Sequence, residues 1–377
     1  MIRGAGPLIA FRRVGILLKK TRFDLFFYTG LLVFFGVTML GGTLKTADVA
    51  YFGAYVMIWG LLALALNLQW GQTGLFNAGI AAFWGVGAYA AAMVVTAPAL
   101  PGAGIPGHWG IDPRVFPTVA GVSTAFVVAV IVAALAAASL AFVLGLPILR
   151  LRADYFAIAT LGLSEIVMRV FAKNLQGVTG GVYGFGGVPR PFEFGFDVWK
   201  TELSYFALLA VVLVVAFVLL DRMSRSPWGR VLRTVREDED AAQALGKDTY
   251  LLKLQSFVFG AALMGISGAF FAFWLRGVYP PDTQFTVADT FTVWVMVIIG
   301  GSGNNRGVLL GTWIFLFLEY VTRRAPDWFH LTGDLAIRIF YFRLMAIGII
   351  LILIVLFRPQ GLVPEGKGVA RRPRWAW

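Results

Sequence analysis

The sequence predicts an all-α polytopic membrane protein with about ten transmembrane helices. Three observations lead to this fold class: 59% of the residues are hydrophobic, only 14% are charged, and apolar stretches recur from residue 25 to residue 357. Soluble globular proteins carry roughly 25% charged residues, so the charged share here is about half the ordinary value. No polar stretch within that range is long enough to fold as a separate soluble domain.

Ten segments satisfy the length rule for a membrane helix. A segment needs about 20 mostly apolar residues to cross the hydrocarbon core, because unpaired backbone groups there are costly. In order, the segments are 25–43, 49–68, 74–97, 116–147, 155–172, 203–221, 254–276, 289–300, 307–321 and 336–357. The eighth and ninth are short and separated by glycines. This stretch, 289–321, is predicted to cross twice, with a re-entrant pair as the alternative.

Basic residues indicate the side of the membrane on which each connecting segment lies. The formal net charge is +12, and positive side chains cluster in an N-terminal arm (1–24), a central loop (222–253) and a C-terminal tail (358–377). Lys and Arg are enriched in cytoplasmic loops, so both termini and the central loop are expected in the cytoplasm, flanking or within one transmembrane domain, 25–357. Because the clusters adjoin apolar spans, they indicate contact with membrane lipid and no nucleic-acid partner.

Residues that support enzyme chemistry are nearly absent. The chain has two histidines, no cysteine and no H-E-x-x-H motif, so no metal site, cofactor or thiol chemistry is expected. The stretch 361–367 has the spacing of a phosphate-binding loop, but Gly368 replaces the required Ser or Thr and no strand precedes it. The stretch 85–90 resembles a dinucleotide fingerprint but lies inside a predicted membrane helix. The chain is therefore predicted not to be an enzyme, and any ATP is expected on another chain.

Three glycine-rich breaks lie in or beside the predicted membrane helices, at 71–87, 177–187 and 300–311. Small residues allow close helix packing, which accounts for most such glycines. Interrupted helices also line the substrate paths of transporters. Amides in apolar surroundings need partners or water, and this favours a substrate path at the first break. The polar residues there are Asn67, Gln69, Gln72, Thr73 and Asn77.

Glu165 and Arg169 are a charged pair inside a predicted membrane helix. They stand four residues apart and so share one helix face. A lone charge at mid-membrane would cost roughly 2.5 to 3.5 kcal/mol, so the two are expected to pair or to face an aqueous cavity. Two interpretations stay open: an internal ion pair near a helix end, and a role in substrate passage.

The segment 230–246 of the central loop has apolar residues at helical spacing and mixed charges. We expect one short amphipathic helix that ends at Gly246. This helix either lies on lipid headgroups or docks a cytoplasmic partner. Docking is favoured, because the acidic residues at 237–240 would be poorly placed against anionic lipid.

The same segment carries a motif. Asp240-Ala241-Ala242, with Gly246 four residues on, resembles the E-A-A-x-x-x-G loop by which permeases of bacterial ABC importers bind their ATPases, with Asp in place of Glu. The resemblance implies that ATP hydrolysis on partner chains is coupled to transport at this loop. The implied coupling residues are Arg233, Glu237, Asp240, Ala241, Ala242 and Gly246.

Further motifs resemble those of the branched-chain amino acid permeases and occur in order over residues 50–362. They are 71–89, 149–155, 160–162 with Glu165, 179–181, Gly300-Gly301 with Gly307 and Gly311, and 357–361. The chain is similar to the M-type subunit of the high-affinity branched-chain amino acid importers. This resemblance implies a type II-like ABC importer bundle in a bacterial cytoplasmic (inner) membrane. It also implies three kinds of partner: a second, H-type permease, two cytoplasmic ATPases and a periplasmic substrate-binding protein.

The resemblance also implies a substrate path for branched-chain or other hydrophobic amino acids. Its residues would be Gln72, Asn77, Gly79, Ile80, Thr160, Glu165, Gly300 and Gly301. The family commonly has Ser at position 77 and His at position 80, so a permease for urea or short-chain amides is an alternative. A secondary transporter or channel without ATPases is the alternative from another class, with Glu165 and Glu319 as its acidic groups. The cargo, and whether the partner permease is distinct or a second copy, stay open.

Overall fold

The computed structural model describes residues 46–95, 118–119, 122–172, 179, 184–192, 198–278, 283–328 and 334–365. Most of these residues are helical. The helices are α1 (Thr46–Leu66), α2 (Ile80–Val95), α3 (Thr124–Ile148), α4 (Ala153–Glu165), α5 (Val198–Arg225), α6 (Pro227–Glu237), α7 (Glu239–Ala244), α8 (Thr249–Leu275), α9 (Val287–Gly300), α10 (Asn305–Trp328) and α11 (Asp334–Phe357). Two of them, α1 and α4, continue as π-helical segments, Asn67–Gln72 and Ile166–Ala172.

Two short antiparallel strand pairs accompany the helices. Strand β1 (Thr118–Val119) pairs with β2 (Val122–Ser123) just before α3. Strand β3 (Phe185–Gly186) pairs with β4 (Gly277–Val278), which directly follows α8. With two residues in each strand, these pairs fix connecting segments and form no sheet layer.

Several helices have the composition of membrane spans. Four segments are long and apolar enough to cross a membrane: Asp48–Gln72, Thr124–Ile148, Trp199–Arg225 and Thr249–Leu275. Three shorter apolar helices are Ile80–Val95, Val287–Gly300 and Met345–Phe357. The all-α membrane fold is therefore confirmed at this level. The predicted helix at 25–43 lies outside the described residues, and the total of ten spans stays a prediction.

Two predicted helices begin later than expected. The helix expected at 74 begins at Ile80, because Gly74 has a left-handed backbone (φ 79°) and the Asn77 side chain accepts a hydrogen bond from the Gly79 amide at 2.8 Å. The helix expected at 116 begins at Thr124. The preceding Ser123 hydroxyl accepts a hydrogen bond from the amide of Ala125 at 3.4 Å, which is an N-terminal cap.

The helix α8 lies at the centre of the bundle and packs against α1, α2 and α3. Gly265 on α8 lies against the backbones of Gly87 on α2 and Ala133 on α3, and Gly268 lies against the backbone of Trp84. A Cβ atom on Gly87, Gly265 or Gly268 would collide with backbone atoms. The close packing that the small residues predict is therefore confirmed at these contacts.

The helix α3 turns small residues toward the bundle at every fourth position. These buried residues are Ala125, Ala129, Ala133, Ala137, Ala141 and Gly145. Bulky apolar side chains such as Ile131, Leu135 and Val143 are exposed on its other side. Residues four apart share a helix face, so α3 has an alanine face toward the protein and a bulky apolar face outside.

The helix α5 is fixed to α8 at its first turns. Arg190 forms a buried ion pair with Glu202 of α5, and its Nε donates to the carbonyl of Phe273 at 3.1 Å. The start of α5 thus lies beside the end of α8. At its other end α5 continues to Arg225, followed by α6 and α7. The predicted central loop, 222–253, is therefore mostly helical, and it contains the region where the sequence predicts an amphipathic helix.

The helices α9 and α10 form a hairpin joined by a turn at 301–304. Gly300 lies against the backbone of Gly307, and Gly311 lies against that of Met296, so the two helices touch without intervening side chains. The predicted glycine-rich break is confirmed. With 14 residues, α9 is about 21 Å long, against about 30 Å for the hydrocarbon core, so by length it falls short of a full crossing.

Candidate functional site

The helix α6 is amphipathic and caps one end of the bundle. The Ser226 hydroxyl accepts the Gly229 amide at 3.3 Å, and Pro227 occupies the first turn, two features that favour a helix start. Leu232 and Val235 are buried, three residues apart on one face. The helix therefore lies on the protein through an apolar stripe.

A break at Asp238 divides the segment that was predicted as one helix. Asp238 is extended (φ −156°), and its carboxylate accepts the Ala241 amide at 2.9 Å, which caps α7. The prediction of a single helix was wrong, because this Asp side chain stabilises a helix start better than a helix interior. The predicted end is confirmed: the chain leaves α7 through Gly246, which has a left-handed backbone (φ 75°).

The outer side of α7 projects from the bundle. Asp240, Ala241 and Gly246 are exposed, and the side chain of Leu245 is 73% exposed. Ala242, by contrast, is buried. An acidic side chain on α7 and a large apolar side chain just after it are thus both exposed, which suits contact with another protein.

The inner side of α7 is fixed to α8. Glu239 forms an ion pair with Lys253 and accepts a hydrogen bond from the Thr249 hydroxyl at 3.1 Å. The Gln243 side chain donates to the same hydroxyl at 2.8 Å. The helix α7 is therefore fixed to the start of α8 on this side.

Arg236 of α6 is the centre of an ion cluster. Its guanidinium donates to the carbonyl of Gly71, to Glu365 at 2.8 Å and to Glu237 at 2.7 Å. Arg233 approaches the other oxygen of Glu365 at 3.4 Å. Burial opposes the charge on Arg236, but hydrogen bonds with Glu237 and Glu365 outweigh it and raise its pKa. A permanently charged Arg236 thus joins α6, the π-helical end of α1 and the C-terminal segment.

Glu365 belongs to a segment that the sequence interpretation missed. The amides of Leu362 and Val363 donate to the last carbonyls of α9, both at 3.0 Å. The Asn304 side chain in the α9–α10 turn donates to the Pro364 carbonyl at 3.1 Å. The segment 362–365 therefore lies along the end of α9 and presents Glu365 to α6. A single acid in a basic tail was its only sequence signal.

The amides of the first glycine-rich break form a buried network. Asn67 donates to the side-chain oxygen of Asn305 at 2.8 Å and accepts the Gly303 amide at 2.8 Å. Asn77 donates to the side-chain oxygen of Gln69, also at 2.8 Å. The expectation that these amides need partners is confirmed, and the partners are protein groups. The network binds the π-helical end of α1 to the start of α10.

Gln72 and Thr73 extend this network. Gln72 donates to the Gly303 carbonyl at 2.9 Å, while its side-chain oxygen is buried with no hydrogen-bond partner in the described part of the chain. The hydroxyls of Thr73 and Ser256 lie 2.6 Å apart, which ties the same region to α8. Within the described part of the chain, the side-chain oxygen of Gln72 is thus a buried acceptor of this network that receives no hydrogen bond.

Three more of the predicted substrate-path residues pack tightly. The Thr160 hydroxyl accepts the Ala78 amide at 3.1 Å, Gly79 lies against the Thr160 backbone, and Ile80 is buried. The space beside Gly79 and Thr160 measures about 10 Å³, room for one water molecule at most. In this conformation the space is too small to hold an amino acid.

Glu165 lies apart from the network, whereas Gly300 and Gly301 lie next to it. Glu165 and Arg169 form the predicted ion pair, but their side chains are 32% and 65% exposed. The pair is therefore on the outside of the described bundle. Gly300 and Gly301 stand at the α9–α10 turn, against the segment 362–365 and close to Gly303.

Comparison with known proteins identifies the family. The family described as "Branched-chain amino acid transport system / permease component" matches residues 49–356. The high-affinity branched-chain amino acid transport system permease protein LivM of Escherichia coli (strain K12) is 30% identical over 341 residues, 85% of this chain and 70% of the relative.

A second relative, from an archaeon, is aligned with this chain over nearly the whole of the relative's length. The probable branched-chain amino acid transport permease protein LivM of Methanocaldococcus jannaschii is 28% identical over 326 residues, 84% of this chain and 92% of the relative. The probable LivH protein of the same organism is 23% identical over 167 residues, 43% of this chain and 50% of the relative. No solved structure shows a significant match. The chain belongs to the family of branched-chain amino acid transport permease components.

Proposed function

We propose that this chain is the transmembrane permease subunit of an ATP-driven importer whose cargo is a branched-chain or other hydrophobic amino acid. The family and the names of the LivM relatives support the cargo class. The weaker likeness to a LivH protein supports a second, H-type permease as partner. Two cytoplasmic ATPases and a periplasmic binding protein complete the proposed complex, in a bacterial inner membrane.

The observation that carries the coupling part of the proposal is the exposed outer side of α7. Asp240 is exposed on α7, and Leu245 and Gly246 are exposed just after its end, while the inner side of α7 is bound to α8. In the proposed mechanism the ATPases grip this surface and move it as they bind and hydrolyse ATP. The motion drives transport only because ATP-bound ATPases bind the two permease conformations with different free energy.

The Arg236–Glu365 cluster supplies a path for that motion into the membrane domain. It joins α6 to Gly71 at the end of α1 and to the segment along α9. The same region contains the amide network and lies next to Gly79 and Thr160, which pack tightly against each other. In this proposal, a displacement of α6 moves the end of α1 and the segment along α9, and this movement opens or closes the predicted substrate path.

Substitutions at Gly246 and Asp240 test the coupling site in the complete complex in proteoliposomes. A Cβ at Gly246 meets nothing within 4 Å, so a side chain there strains the backbone by about 1–2 kcal/mol without an internal collision. We expect Gly246→Trp and Asp240→Lys to abolish cargo uptake and its link to ATP hydrolysis while the complex still assembles.

Two matched controls accompany these variants. Gly246→Ala carries the same backbone strain without bulk, and Asp221→Lys reverses a charge at the same end of the bundle outside α6 and α7. Both are expected to retain most uptake. Unchanged uptake in Gly246→Trp and Asp240→Lys would remove the assignment of α7 as the ATPase contact.

Purification in mild detergent tests the partners. The tagged chain is expected to bring two ATPases and a second permease with it, and the ligand of the binding protein that stimulates ATP hydrolysis identifies the cargo. Urea or a short-chain amide as that ligand would replace the amino acid assignment. A chain that emerges alone would favour the channel or secondary transporter.

A further inference from the structure

A cavity of about 490 Å³ opens at the end of the bundle opposite α6 and α7. Its walls come from the first turns of α1, Trp84 of α2, the last turns of α8, the segment 283–289 and the stretch 319–324 of α10. The helix α1 runs from this cavity to its π-helical end, where Gly71 meets Arg236. The volume lies in the range of about 300–1,000 Å³ that is usual for small-molecule sites.

Aromatic side chains form most of the cavity wall. Tyr55, Trp59, Trp84 and Phe285 stand in a continuous row, with successive ring centroids 5.8, 5.2 and 4.9 Å apart. Trp274 joins the row, with its ring centroid 4.9 Å from that of Tyr55. Packed rings give a wall with a large apolar surface and a fixed shape. That wall suits an apolar ligand group of modest size.

Charged groups of both signs share the cavity with these rings. Glu319 and Arg323 are paired at 2.7 Å, with the carboxylate side chain 16% exposed and the guanidinium side chain 66% exposed. The carboxylate of Asp289 also lines the cavity and accepts the amide and hydroxyl of Thr286 at 2.8 and 2.9 Å. The acids are thus held in the wall, while the Arg323 guanidinium reaches out from it.

Trp84 adds a hydrogen-bond donor. Its side chain is 1% exposed and lines the cavity, and its indole Nε1 has no hydrogen-bond partner among the residues that the structure describes. Buried donors are almost always paired in native proteins. An indole N–H in this wall is therefore suited to an oxygen of a bound molecule.

We propose that this cavity binds a zwitterionic amino acid with an apolar side chain. The ligand ammonium pairs with Glu319, and its carboxylate accepts hydrogen bonds from Arg323 and from the Trp84 indole. Its side chain packs on Trp59 and Tyr55. The proposal rests on the function proposed above and deepens it, because it gives the cargo a first site in the membrane domain, at the end away from the ATPases.

A single cysteine can report occupancy of the cavity, because the chain has no cysteine of its own. The reporter is Thr283→Cys at the cavity wall, in the assembled complex in lipid nanodiscs without the binding protein. L-Leucine is expected to slow alkylation of this cysteine severalfold. Leucinamide, which lacks the carboxylate, and isocaproate, which lacks the ammonium, are expected to protect poorly. Lys200→Cys, which is exposed at the same end but does not line the cavity, is the control and should react equally with and without leucine.

Variants of the polar groups test the assignment in the same reporter background. Glu319→Gln is expected to raise the leucine concentration for half protection about tenfold, the size of one charge-assisted hydrogen bond, and to reduce the discrimination against isocaproate. Trp84→Phe keeps the ring and removes the donor, and should also raise that concentration. Asp221→Asn is the control and should leave it unchanged.

The outcomes separate the two proposals. If leucine fails to protect Thr283→Cys in a complex that still takes up leucine, the cavity proposal is overturned and the importer proposal stands. If protection is the same in Glu319→Gln as in the parent, the ammonium site is overturned. If the parent complex neither takes up nor binds any hydrophobic L-amino acid, the proposed cargo fails and the cavity proposal fails with it.

Discussion

Asn67 joins two segments that are far apart in the chain. Its amide makes two hydrogen bonds, to Asn305 and to the Gly303 amide, inside the protein. Asn67→Ala would leave the buried Asn305 side-chain oxygen and the half-buried Gly303 amide without this partner, at a cost of about 1–3 kcal/mol. We expect a lower thermal unfolding midpoint for the detergent-solubilised variant, measured by tryptophan fluorescence.

Asn304 provides the comparison. It also donates to a distant carbonyl, that of Pro364, but this hydrogen bond is exposed, so water can replace it. Asn304→Ala is expected to lower the midpoint less than Asn67→Ala. Equal losses would contradict the view that burial sets the cost.

For single residues, the sequence predicts that the buried amide side chains need hydrogen-bond partners, but it does not identify those partners. Buried amides in an apolar stretch must be satisfied, and that holds for any fold. The partner of Asn67 is 238 positions away, a pairing that only the folded bundle defines. Glu365 was missed for the same reason, since its role depends on where α6 lies.

Glycines on two helices should respond to the same substitution with opposite signs. Gly87→Ala on α2 places a methyl group against the backbone of Gly265 and is expected to destabilise the protein by about 1–3 kcal/mol. Gly162→Ala on α4 meets nothing within 4 Å and is expected to stabilise it by about 0.5–1 kcal/mol, because Ala restricts the unfolded chain. Thermal unfolding in detergent measures both. Equal shifts of one sign would contradict the packing of α2 on α8.

The contact between α6 and the segment 362–365 makes a second element-scale prediction. Glu365→Gln removes the charge that Arg233 and Arg236 share. We expect the complex to assemble but to import less cargo per ATP hydrolysed, measured in proteoliposomes. Arg358→Gln, which removes an exposed charge in the same C-terminal region, is the control. Normal coupling in Glu365→Gln would mean that α6 acts on the bundle by another contact.

The positions of the elements were largely predictable, and their ends were less so. Apolar length alone located the helices, because the membrane requirement is global. The start at Ile80 and the break at Asp238 depend on single side chains that capture backbone amides, at Asn77 and Asp238. Mean hydropathy does not show where a side chain accepts a hydrogen bond from a backbone amide and so sets the start of a helix.

The whole molecule has two ends, and the proposals assign each to one side of the membrane. Lys200 is exposed near the cavity end, and Arg358 is exposed near the end that carries α6 and α7. A membrane-impermeant maleimide is expected to label Lys200→Cys in intact cells and Arg358→Cys only after the membrane is opened. Labelling in the reverse pattern would invert the orientation that the basic clusters predict.

The cavity illustrates what sequence reasoning lacks at this scale. Tyr55, Trp84, Phe271 and Phe285 lie in separate segments, and aromatic residues in a hydrophobic chain look like ordinary core residues. Only their arrangement around Glu319 distinguishes them. The fold class and the family could be predicted because many residues contribute to each, whereas the cavity depends on the relative placement of five segments.

The alanine face of α3 has a consequence for motion. Alanine has no side-chain torsion to fix, so contact with α8 costs this face no rotamer entropy. For the same reason, a displacement of α3 along α8 requires no exchange of rotamers by the alanines of this face. Interdigitated leucines would resist such a shear movement, because each side chain would have to leave one packing site on the neighbouring helix and enter the next. The alanine positions of α3 thus combine close contact with α8 with little resistance to movement along it.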